Sequence, residues 1–185
     1  FLGGRHSTRS QRTSSENPRI SDGFTPQGGV AVRVPGLEEL TVYASYGESW
    51  RPNFVLDGFG NVIDPITEKN QEAGVKMDFL DGRISGSASI YQLDQKNVPL
   101  RDHAREADLG ISPLYTFAGA ARSSGAEFDL TLTPMRNYQV VLGYSRIWEA
   151  RTLEAEDVRM INVRRQNAPT KQFSLWNKYT FVDGP

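Results

Sequence analysis

The chain has 185 residues with 21 basic and 22 acidic side chains, a formal net charge of −1 and no cysteine. Balanced charge gives no global field for nucleic acid or anionic lipid, and the missing thiols exclude disulfides, thiolate metal sites and cysteine nucleophiles from this sequence. No run of about 18 apolar residues occurs, so no transmembrane helix is expected; the mean hydropathy of −0.49 does not argue for solubility, because strands alternating apolar and polar residues score as hydrophilic on average.

Phe1 to Gly4 read as the second half of a strand. Arg5, Arg9, Arg12 and Arg19, among polar neighbours, read as an exposed loop. From there period two dominates. Val30, Val32 and Val34 share one side, and Leu40, Val42, Ala44 and Tyr46 alternate with Thr41, Tyr43, Ser45 and Gly47. Ala73, Val75, Met77 and Phe79 repeat the pattern, as do Ala126 to Leu132, Tyr138 to Tyr144 and Phe173 to Phe181. Such alternation is what a strand with one apolar and one wet face requires. Between Arg83 and Val98 the phase changes: Ile84, Ala88 and Ile90 share one side, Tyr91 and Leu93 the other. A bulge or the end of a membrane zone would produce that change.

The connections alternate in length. Pro35–Glu38, Asp81-Gly82 and Pro134–Asn137 are short; Arg51–Asn70, Leu100–Leu114 and Arg151–Thr170 are long. Asp-Gly suits a hairpin turn with positive φ at both central residues. Alternately short and long connections are the pattern of an outer-membrane barrel, with short periplasmic turns and long extracellular loops. Aromatic residues of the apolar phase fall at both strand ends, Phe79, Tyr138 and Phe181 by short turns and Tyr46, Trp50, Trp148 and Phe173 by long loops, as two interfacial girdles would. Glu48 and Arg146 share that phase beside the long loops and are expected above the hydrocarbon. The fold class expected is all-β, an antiparallel up-and-down meander of about eight strands, open in this fragment.

The segment from Tyr43 to Asn53, Tyr-Ala-Ser-Tyr-Gly-Glu-Ser-Trp-Arg-Pro-Asn, resembles a strand-and-loop signature of TonB-dependent siderophore receptors. Lys69 to Lys76, Asp81 to Arg83, Lys96 to Val98, Arg122 to Glu127 and Ser174 to Trp176 follow in that family's order. The resemblance runs from Phe24 to the C-terminus. It departs from the family at Pro65 to Glu68, where a Pro-Glu-Thr-like stretch is usual, and at Lys171, where a histidine is frequent. It implies a transmembrane barrel of roughly 22 strands in the outer membrane of a Gram-negative bacterium. Residues 1–185 would be a partial barrel domain lacking the plug domain and the C-terminal strands. The implied partners are a ferric siderophore, outer-membrane lipid, and TonB through the missing plug. A passive porin-like barrel and a soluble all-β binding module are the competing readings. The module would pack Val75, Met77, Leu130 and Leu142 against a second sheet.

No catalytic or cofactor motif is present: G-x-S-x-G, P-loop, G-x-G-x-x-G and H-E-x-x-H are all missing. No enzyme activity, resident cofactor or metal is therefore expected. His6 and His103 read as loop histidines, and Asp57, Asn61 and Asp64 lack the EF-hand spacing. Glu127, Asp129, Glu72, Lys76 and Asp78 read as a charged inner wall. The charged loop after Arg151 is expected to hold a short helix around Glu154 to Ile161. A ferric siderophore suits aromatic and arginine side chains at the loop bases, which makes Trp50, Arg51, Phe54, Phe59, Tyr115 and Phe117 the candidate ligand contacts.

Overall fold

The computed structural model describes residues 1–11, 19–53, 55, 64–155, 158–165 and 168–181. Eight strands form one sheet in strictly sequential order: β1 Leu2–Gln11, β2 Arg19–Val34, β3 Leu37–Arg51, β4 Ile66–Phe79, β5 Ile84–Arg101, β6 Tyr115–Met135, β7 Tyr138–Ala155 and β8 Lys171–Tyr179. Every neighbouring pair is antiparallel. A helix α1, His103–Leu109, lies between β5 and β6, and one turn of 3-10 helix, Val158–Met160, between β7 and β8. None of the described helices is long and apolar enough to cross a membrane, which leaves strand crossing open.

Local chemistry closes the short hairpins. Pro35 fixes its own φ, and Gly36 supplies the positive φ of 80° that the second turn position needs. Asp81 and Gly82 sit at φ 55° and 82°, with the Arg83 amide bonded to the Leu80 carbonyl at 3.2 Å. The left-handed conformation also reaches back to Leu80, at φ 54°.

The strands run further than period two shows. β6 has 21 residues, about 70 Å of extended chain, against the 9–11 residues that a tilted strand needs to cross a bilayer. Two expectations are corrected here. The arginine-containing N-terminal stretch is paired strand, with His6 opposite Phe24 and Arg5 opposite Thr25; Arg12 lies outside the described residues. The expected helix at Glu154 to Ile161 is strand at its start and the 3-10 turn near its end.

The phase change in β5 is no bulge. Its register with both neighbours is unbroken from Ile84 to Lys96. Residues change in polarity along a regular strand, which marks the end of the membrane zone. The break comes at Asn97, φ 56°, beyond which Val98 packs with Ile66 and Ala121 and with partly covered Leu100. Among the described residues the buried apolar side chains gather at this long-loop end. Val75, Met77, Leu130 and Leu142 are not buried, and no second sheet covers them.

Candidate functional site

Registers order the side chains into rows across the sheet. One phase holds Leu40, Met77, Leu130, Leu142 and Leu175, then Val42, Val75, Ala88, Phe128, Tyr144 and Phe173. Along β3 this phase is the more exposed, Val42 at 43 % and Tyr46 at 36 %, while Thr41, Tyr43 and Ser45 are partly covered. On β4 Lys76 and Asp78 are more exposed than Val75 and Met77, so the outer side is assigned by chemistry: the continuous apolar phase is the one that hydrocarbon can solvate.

Three rows beyond Val42, toward the long loops, the outward face is charged across the sheet. Glu48, Lys69, Asp94, Arg122 and Arg151 succeed one another from β3 to β7. Lys69 Nζ is 3.2 Å from Glu48, Arg122 Nε 2.6 Å from Asp94, and Arg151 Nε 2.8 Å from Glu149. The Tyr46 hydroxyl donates to Glu48, Gln92 to Asp94 at 2.9 Å and Ser124 to Glu149 at 3.2 Å. Charge this dense does not enter hydrocarbon, so the lipid-facing band ends below this row, and on β7 and β8 it ends below Arg146 and Lys171, which share the outward phase two rows nearer the short turns.

The inner face is mostly polar, with Leu93, Val141, Ile147 and Trp176 as apolar members of the same phase. The Tyr43 hydroxyl donates to Glu72, and Lys76 Nζ sits 5.2 Å from the Tyr43 ring centre. Glu127 and Asp129 belong to this wall. Its glycines make room for large neighbours: a Cβ at Gly125 would lie 2.8 Å from the Tyr91 hydroxyl, and one at Gly74 2.9 Å from the Tyr43 ring.

At the long-loop end the inner face carries a connected polar group. Glu68 on β4 accepts Ser49 Oγ at 2.8 Å and lies 3.4 Å from Arg51 on β3. Gln95 on β5 donates to the same carboxylate, and Arg165, from the β7–β8 loop, donates to the Gln95 carbonyl. Burial first, then the Arg51 charge, pushes the Arg165 guanidinium below its ordinary value, with Glu68 opposing. Asn53 donates to the Asn97 carbonyl at 3.3 Å and Asn97 to that of Pro65 at 3.0 Å, which ties both ends of the β3–β4 loop to β5.

The β5–β6 loop is held by Glu106. It accepts Arg101 Nε at 2.7 Å and the Leu114 amide at 2.9 Å, with His103 Nδ1 at 3.2 Å. Bonds from Arg101, then from Leu114, hold its carboxyl at about 2, against desolvation and with lesser help from His103. Asp102 caps the helix by accepting the Arg105 amide at 3.0 Å.

Of the candidate contacts, the structure brings Trp50 and Arg51 together. Both line a groove of about 520 Å³ with Arg5, Thr25, Gln27 and Ser49, and the Trp50 ring lies over Gly23. Tyr115 stands opposite Arg101 at the start of β6, with β4 and β5 between it and Arg51. Phe117 pairs through its backbone with Pro99; its side chain, Phe54 and Phe59 lie outside the described residues. Glu68, Gln95 and Arg165 were missed by the sequence reading. The inner phase of β4 and β5 points to the first two, while nothing local points to Arg165. No cluster of three metal-ligating side chains occurs among the described residues. His6 is on β1, 3.9 Å from Asp22, and His103 is on α1.

Residues 2–185 match the TonB dependent receptor-like β-barrel family. The chain belongs to that family. It is 31 % identical over 178 residues to the metal-pseudopaline receptor CntO of Pseudomonas aeruginosa, covering 95 % of this chain and 23 % of the relative. It is 28 % identical over 155 residues to the ferric-pyoverdine 358 receptor of Pseudomonas putida, covering 84 % and 18 %. The chain thus spans about a fifth of the length of these curated relatives. The solved structure of the ferripyoverdine receptor of the Pseudomonas aeruginosa outer membrane, bound to ferripyoverdine, superposes with a TM-score of 0.74 at 24 % identity, covering 99 % of this chain and 24 % of that one. As a segment of a TonB dependent receptor-like barrel the chain is an outer-membrane protein, which sets aside the soluble-module reading.

Proposed function

We propose that residues 1–185 form part of the barrel wall of a receptor that takes up ferric siderophores with energy delivered through TonB. The plug domain and the remaining strands would come from sequence outside this stretch, and TonB would engage the plug. The protein is a transporter with no enzymatic step and no resident cofactor; the iron complex is cargo. The reading is carried by one observation above all: the family match extends over residues 2–185, on a sheet whose inner wall is mostly polar and whose loop-side rim carries Trp50 and Arg51. The curated relatives, receptors for ferric-pyoverdine and metal-pseudopaline by name, support the cargo class.

In the wall the division of labour is physical. The outward rows bury apolar surface in lipid, the paired strands satisfy the backbone, and the inner wall presents polar groups to plug and water. The long loops carry the ligand contacts, among which Trp50, Arg51, Phe54, Phe59, Tyr115 and Phe117 are proposed. The test is growth of a strain lacking the gene on defined ferric siderophores under iron limitation. Complementation by the full-length gene is expected to restore growth in a TonB-containing host and not in a TonB-deleted one. Growth restored equally in both hosts would refute energy-coupled uptake.

A further inference from the structure

Arg165 lies where its sequence neighbours give no hint of its reach. Its amide bonds the Ala150 carbonyl at 2.8 Å, and Arg164 bridges Arg151, so this stretch continues the β8 edge of β7 toward the rim. Its side chain nevertheless ends at Gln95 on β5, with β6 lying between β5 and β7. Small, covered residues clear the path, Ala150 at 3 % exposure and Ala121 at 2 %. Gln95 then donates to Glu68, and Glu68 meets Arg51. Three strand positions and one loop residue are thereby joined across the inner face.

Charge within this group is unequal. Of its two guanidinium groups, Arg51 faces the Glu68 carboxylate and Arg165 bonds the neutral amide of Gln95. Deeper in the wall the balance reverses, with Glu72, Glu127 and Asp129 on the inner rows against Lys76. A half-buried guanidinium beside a second one is costly without an anion to face, and the guanidinium fork matches carboxylate and catecholate oxygens in a bidentate manner.

Resting on the uptake reading above, we infer that Arg51 and Arg165 form a paired cationic contact that selects iron complexes with anionic outer oxygens over uncharged or cationic ones. The complex approaches from the rim, and its anionic oxygens take the place of Gln95 on Arg165.

The test uses the full-length receptor, purified with its plug, and a panel of ferric complexes: an anionic tris-catecholate, a carboxylate-bearing citrate hydroxamate, an uncharged trihydroxamate and a cationic amine-bearing trihydroxamate. Binding is read by quenching of tryptophan fluorescence. Arg51→Gln and Arg165→Gln are each expected to weaken the anionic complexes by about tenfold and to leave the uncharged one unchanged. Arg165→Lys keeps the charge and should keep the order of preference, which separates an electrostatic role from a folding defect; heat-modifiable electrophoretic mobility reports folding of each variant. Equal losses for charged and uncharged complexes, or wild-type preference for an uncharged or cationic complex, would overturn the inference and leave the uptake reading standing. Binding of no member of the panel would overturn both.

Discussion

The Tyr91 ring lies against Gly125 on the neighbouring strand, its register partner, with the phenol oxygen 2.8 Å from where a Cβ would stand. On the same residue's other side the Arg146 carbonyl would be 2.5 Å away. A methyl group cannot be accommodated between backbone and ring without moving a strand. Gly125→Ala is therefore expected to destabilise the barrel by about 1–3 kcal/mol. Gly47→Ala, whose Cβ would meet only Gln27 at 3.9 Å, should be close to neutral. Urea unfolding of the full-length receptor in detergent micelles measures both.

Depth along the outward face gives a second contrast. Val75 lies in the middle of the apolar rows, and Thr67 lies one row beyond Lys69 on the same phase of β4. Val75→Arg should cost about 2–4 kcal/mol and Thr67→Arg close to nothing. The same unfolding measurement, made in lipid vesicles, would expose an error in the assigned membrane limit if the two substitutions cost the same.

The Glu106 carboxyl gives a pH dependence with a definite sign. Its value is lowered from 4.5 to about 2 by Arg101 and the Leu114 amide, so its stabilisation of the β5–β6 loop is present above about 4.5. It is lost as pH falls from there through 2. Hydrogen exchange at the Leu114 amide, corrected for its intrinsic pH dependence, should accelerate over that window. Glu106→Gln should show fast exchange at neutral pH and little further change on acidification.

An isolated sheet of residues 1–185 has edge strands β1 and β8 paired on one side only among the described residues. Apolar strands with open edges pair with other chains. This piece expressed alone is expected to collect in inclusion bodies; a soluble, cooperatively unfolding monomer in analytical ultracentrifugation would contradict a barrel segment.

What could be read from the sequence follows from what is local. Alternation at Val42, Val75, Leu130 and Leu142 reports a two-solvent environment residue by residue, so the strands and their outward phase were visible. The Asp81-Gly82 turn was visible because only a few residue types tolerate positive φ. Strand β1 was visible only at its start, Phe1 to Gly4, because its further outward positions His6 and Thr8 form no apolar series. Helix α1 has seven residues, too few for a 3.6-residue period to stand out, although Asp102 before it and Gly110 after it are cap residues. The upper strand ends were hidden for a related reason: where water bathes both faces, no pattern separates them. At the candidate site, Trp50 and Arg51 were legible from their place at a strand end. Arg165 depends on the path of a whole loop past two alanines, and no spacing encodes that path.

The ladder of ion pairs from Glu48 to Arg151 is a stripe on the hull of the barrel that rides above the waterline. Beyond Asp94, β5 continues for seven residues to Arg101, which raises the wall about 15–20 Å clear of the acyl chains once strand tilt is allowed for. The loops therefore stand on a stiff collar, above the crowd of outer-leaflet head groups. An arriving iron complex meets protein before it meets the membrane, and a change in bilayer thickness alters how much of the collar is wetted while leaving the geometry at its mouth intact.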